Sequence, residues 1–129
     1  MKILQLNHVA LHVSDLDASC RFYEQVLGLT KIDRPAFDFE GAWYELSPAA
    51  QQSPRQELHL IARPPENAMP PRECHIALLV ESIERAEARL RSCGALFQPP
   101  KRRPDGAIQI FLRDPDGHVI ELCSWAGMY

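Results

Sequence analysis

The stretch "NHVALHV", Asn7 to Val13, sets two histidines, His8 and His12, into an otherwise apolar run. A later stretch, "CHIALLV" from Cys74 to Val80, repeats the phrase with one histidine kept. The offset that lays His75 on His8 also lays Ile76 on Val9, Ala77 on Ala10, Leu78 on Leu11, Val80 on Val13 and Ile83 on Leu16. Self-similarity at a fixed spacing marks a duplicated supersecondary unit. Each copy continues alike. Leu16, Cys20, Tyr23 and Leu27 recur at helical spacing, with Ser14 or Asp15 to cap them and Gly28 to stop them. Ile83, Ala86, Leu90 and Cys93 do the same between Ser82 and Gly94.

Three short strands are expected after each helix, about 28–34, 41–46 and 56–62 in the first copy and about 95–98, 107–113 and 118–124 in the second. "RDPDGHVIEL" reads as a hairpin, with Pro115 at the second position of a tight turn and Gly117 supplying a positive φ. "ARPPENAMPPRE" carries four prolines that can continue neither a helix nor a central strand, so it reads as a linker. The expected fold is α+β: two βαβββ modules, residues 1–63 and 73–129, joined by a Pro-rich linker at 64–72 in a single domain of 129 residues. Their mixed sheets are expected to curl around a central pocket, which the donor residues of their open faces make a metal pocket.

Bulk composition narrows the function. A net charge of -3 argues against nucleic acid as partner, and the one basic cluster, Lys101-Arg102-Arg103, suits a single small anion. It is placed in the Pro-rich loop before the seventh strand. No signal peptide or membrane-spanning run is read, so the expected compartment is the cytoplasm. The four cysteines show no CxxC spacing and read as reduced, mostly buried thiols.

Alternate residues of a strand share a face. Val9, Leu11 and Val13 form the apolar set that packs under the first helix, which turns His8, Ala10 and His12 to the open face. The same reasoning leaves His75 and Ala77 open on the fifth strand, Glu57 and His59 on the fourth, and Glu121 on the last. Each open face therefore offers imidazole and carboxylate from its outer strands. One histidine facing a sheet is more often a hydrogen-bonded structural residue than a ligand. The combination is different. A carboxylate among histidines is costly to bury unless a cation balances it, and this donor set suits one divalent ion per site: zinc, nickel, iron, cobalt or manganese. The fourth donor is open. Aligning "LHLI" with "IELC" matches His59 to Glu121 and keeps the flanking apolar residues in register, whereas aligning "EL" with "EL" selects Glu57. The first alignment is preferred.

"NHVALHVSDLDASCRFYEQVLGL", "CHIALLV" and "DPDGHVIEL", in this order across residues 6 to 124, resemble the vicinal oxygen chelate superfamily. That superfamily includes glyoxalase I, extradiol dioxygenases, methylmalonyl-CoA epimerase and fosfomycin resistance proteins. The resemblance implies metal ligands at His8, His75 and Glu121, with His59 standing where glyoxalase I has a glutamate. It implies a glyoxalase-like lyase or isomerase that chelates two adjacent oxygens of a small substrate, Glu121 moving a proton beside a carbonyl. The alternatives are an extradiol-type dioxygenase using His8, His75 and Glu121 as a facial triad, and a non-catalytic binding protein of the antibiotic-sequestering kind. Trp43 and Tyr44 would supply stacking surface, and His12, Gln109, Phe111 and Arg103 would complete the pocket. A homodimer is expected.

Overall fold

The computed structural model describes residues 1–2, 6–46, 56–62 and 74–124. The expected linker falls outside them. By internal contacts the chain divides into two compact units, Met1–Ala68 and Met69–Tyr129.

The first unit runs β1 (His8–His12), α1 (Leu16–Arg21), β2 (Thr30–Ile32), β3 (Gly41–Glu45) and β4 (Glu57–Ile61). The second runs β5 (His75–Leu79), α2 (Ile83–Ser92), β6 (Lys101–Arg102), β7 (Ile108–Arg113) and β8 (Val119–Cys123). Their sheets have matching orders, β1-β4-β3-β2 and β5-β8-β7-β6. In each, the first strand pairs in parallel with the last and the remaining pairs are antiparallel. This is the α+β architecture of two βαβββ modules. The fourth and eighth strands are internal, not outer, so their side chains have neighbours on both sides.

Side-chain alternation follows the expected faces. Val13, Tyr44, Leu58 and Leu60 are buried under α1, and Ile110, Leu112, Ile120 and Leu122 under α2. Tyr44 is thus a core residue and offers no pocket surface, because its neighbour Trp43 takes the open face. Asp15 caps α1 by accepting from Ala18 N at 3.0 Å, and Ser82 caps α2 by accepting from Arg85 N at 3.2 Å.

The first helix is shorter than its spacing predicts. After Arg21 the chain widens into a π turn over Phe22–Val26, closed by Leu27 N donating to Phe22 O at 3.2 Å. The extra residue in this turn shifts the side chains that follow it, while Tyr23, at its start, stays in the core at 1% exposure. The sixth strand also differs. Phe97 makes a single bridge to Leu112, and pairing resumes at Lys101 with Gln109. Three residues, Gln98, Pro99 and Pro100, face two on β7, so the strand bulges where proline removes the N–H donors. Lys101 and Arg102 are therefore strand residues and not part of a loop. The thiols differ too. None of the four is in a disulfide, but Cys74 and Cys93 are exposed and Cys20 and Cys123 only partly covered, since Cys74 precedes β5 and Cys93 lies past the last turn of α2. Among the described residues no helix is long and apolar enough to cross a membrane.

Candidate functional site

The parallel pairs place the candidate donors in the same way in both units. On β1 and β4, His8 faces Glu57 and Ala10 faces His59. On β5 and β8, His75 faces Val119 and Ala77 faces Glu121. His59 and Glu121 thus occupy equivalent register positions, each beside the alanine that follows its histidine by two residues. Across the antiparallel pair, Trp43 faces His59 and Phe111 faces Glu121.

In the first unit, three rings form a stack. Trp43 lies on His59 with centroids 3.9 Å apart and planes 1° apart, and His8 covers the other side at 4.3 Å and 15°. Phe37 extends this wall, 6.0 Å from Trp43. Each imidazole has one nitrogen engaged by an oxygen: His8 Nδ1 by Asn7 Oδ1 at 2.7 Å, and His59 Nε2 by Glu57 Oε2 at 2.7 Å. His12 is exposed at the end of β1, on the same face as His8.

In the second unit the feature is a buried carboxylate. Glu121 is 2% exposed. Gln109 Nε2 donates to its Oε1 at 2.8 Å, His75 Nε2 stands 3.1 Å from its Oε2, and Arg103 Nη1 approaches Oε1 at 3.8 Å. Arg103 is itself ion-paired with Asp105. Phe111 meets His75 edge-on at 5.9 Å. Nearby, burial and then the Glu121 charge raise the Cys123 thiol above its usual value, so that sulfur stays protonated. A hollow of about 720 Å³ adjoins His75, walled by Leu96, Phe97, Phe111 and Val119, with Gln98 and Arg113 adding polar groups.

The structure therefore brings His8 together with His59, Glu57 and Trp43, and His75 with Glu121, Gln109, Phe111 and Arg103. Within either unit, no three histidine, cysteine, aspartate or glutamate side chains among the described residues are gathered to hold an ion. Donor chemistry nevertheless fits a divalent cation. A carboxylate this deeply buried has one amide donor, one partly exposed imidazole and a distant guanidinium to offset its desolvation, a set that a cation would complete. Histidines whose second nitrogen is held by an oxygen are also what metal ligation requires. Asn7 and the donor role of Gln109 were not expected. Asn7 could have been noticed as an amide directly before His8, whereas the Gln109 contact depends on cross-strand register.

The model of the Glyoxalase/Bleomycin resistance protein/Dioxygenase superfamily matches residues 5–122. The chain belongs to this superfamily. Superfamily relatives include "Glyoxylase I 4" of Arabidopsis thaliana, 32% identical over 136 residues, covering 96% of this chain and 72% of the relative. The metallothiol transferase FosB of Bacillus licheniformis is 33% identical over 128 residues, covering 94% and 75%. Among solved structures, a glyoxalase family protein from Bacillus anthracis superposes with a TM-score of 0.78 at 23% identity, covering 96% of this chain and 97% of that one. The superfamily fold and its two-module plan are shared. The relatives' names cover more than one chemistry, so the reaction has to be argued from this chain's own residues.

Proposed function

We propose that the protein is a metal-dependent lyase or isomerase of the glyoxalase type, acting on a small molecule with two adjacent oxygens. The observation that carries this reading is Glu121: a carboxylate withheld from water, one oxygen fixed by Gln109 and the other beside His75. His8, His59, His75 and Glu121 would hold one divalent ion, and the ion when bound would act as a Lewis acid toward the paired substrate oxygens. The chain's own work is then to orient and to move a proton. Gln109 holds Oε1 and His75 stands against Oε2, so the carboxylate of Glu121 is fixed in orientation as the group that accepts or returns the substrate proton. Seclusion from bulk water keeps that proton from exchanging during transfer. Trp43, Phe111 and His12 would border the substrate, and Arg103 would receive a negative group on it. A second copy of the chain is part of this reading; a monomer by light scattering at micromolar concentration would remove that part.

The test compares the hemithioacetal of methylglyoxal and a thiol with a panel of catechols, following oxygen uptake in parallel. Isomerisation without oxygen uptake, abolished in Glu121→Gln, is the expected result. Ring cleavage with stoichiometric oxygen consumption would replace the lyase reading by the dioxygenase one. Elemental analysis after reconstitution that finds no tightly held metal would sink both.

A further inference from the structure

Glu57 and His59 stand two residues apart on the open face of β4, and both side chains are largely covered, at 17% and 12% exposure. Trp43 and His8 cover the two faces of the His59 ring, which leaves only its edge available for chemistry. That edge carries two nitrogens with different fates. An ionised carboxylate can only accept a hydrogen bond, so the nitrogen facing Glu57, Nε2 at 2.7 Å, carries the hydrogen. A neutral imidazole then keeps its lone pair on Nδ1. Asn7 does the mirror task for His8: its Oδ1 accepts from Nδ1, and the lone pair stays on Nε2.

We infer that Glu57 is a positioning residue, not a rival ligand: it sets the tautomer and ring plane of His59 so that Nδ1 is the donor atom. This rests on the functional reading above. Register agrees, because His59 and not Glu57 stands where Glu121 stands in the other unit. A carboxylate that accepts the outer N–H of a ligating histidine raises its basicity and stops the ring from turning, and losing such a partner weakens metal affinity about 10- to 100-fold.

The experiment uses the full chain, zinc alone as the probe, and two substitutions, Glu57→Gln and Glu57→Ala. Ring ¹⁵N shifts of His59, recorded without metal and above the ordinary imidazole range, should show Nε2 protonated and Nδ1 bare in the native chain and in Glu57→Gln. Glu57→Ala should weaken that preference and bind zinc about 10- to 100-fold more weakly, while Glu57→Gln, whose carbonyl still accepts, stays within a few-fold. Equal loss in both variants would make Glu57 a ligand and overturn the inference. So would full affinity in Glu57→Ala, or a native His59 protonated on Nδ1. If the native chain binds no zinc, the functional reading falls, and the metal-free tautomer measurement still decides the role of Glu57.

Discussion

Trp43 and His59 lie face to face, centroids 3.9 Å apart and ring planes 1° apart, as direct partners across β3 and β4. Offset aromatic contact of this kind contributes about 0.5–1.5 kcal/mol beyond the area it buries. Trp43→Ala should therefore lower stability by roughly 2–3 kcal/mol, and Trp43→Phe by less than half of that. Urea unfolding with an unchanged slope would read the difference. No loss in Trp43→Ala would mean that the stack is incidental.

Glu121→Gln separates structure from chemistry. The amide still accepts from Gln109, and it sheds the desolvation of a buried charge, so metal-free stability should change by less than about 1 kcal/mol. Zinc occupancy and turnover should fall together by at least about 100-fold. A large stability loss without metal would assign the carboxylate a structural role.

Gly41 begins β3, where a Cβ would sit 2.3 Å from the Leu60 carbonyl oxygen and 3.1 Å from the Arg34 side chain. The nearer contact is backbone and cannot turn aside. Gly41→Ala should cost about 1–3 kcal/mol by prying β3 from β4, and zinc binding should weaken because His59 is on the displaced strand. Thermal melts and zinc titration on the same sample check both.

Tyr44 predicts an alkaline limit. Burial above all, then the neighbouring Cys20 and Glu24, pushes its phenol well above the usual range, while its hydroxyl donates to Glu24 Oε1 at 3.2 Å. A folded-state pKa above the unfolded one means that the unfolded chain releases this proton first. The stabilisation is complete below about pH 10 and is lost as pH rises further. Tyr44→Phe should flatten the decline of stability above that pH while costing about 1 kcal/mol at neutrality. An unchanged alkaline slope would exclude Tyr44 as its source.

How much of this is legible in the sequence depends on the distance over which each feature is determined. The repeat of His8 through Val13 at His75 through Val80 exposes the two modules, and alternation along those stretches separates Val9 and Leu11 from His8 and Ala10. Both signals are local. The π turn at Phe22–Val26 is not, because Leu16, Cys20, Tyr23 and Leu27 fit an uninterrupted α-helix equally well. Nor is the sixth strand: Pro99 and Pro100 read as a loop, and only pairing with Ile108 and Gln109 makes Lys101 and Arg102 a strand. Trp43 and Tyr44 cannot both border a pocket, because adjacent strand residues point apart. Glu57 and His59 appear as competing ligands when their sequences are aligned, and as hydrogen-bonded partners once their side chains are placed.

The bulge at Gln98–Pro100 bears on how the second sheet meets other chains. An unpaired strand edge invites foreign strands, and short length, proline and positive charge are the features that deter them. β6 has all three: two paired residues, both basic, directly after two prolines. The corresponding border of the first sheet, β2, is three residues long and carries Lys31. Each sheet therefore carries deterrents to growth along one border. Lateral extension, whether in assembly or in misassembly, is favoured at the opposite border, along β1 or β5.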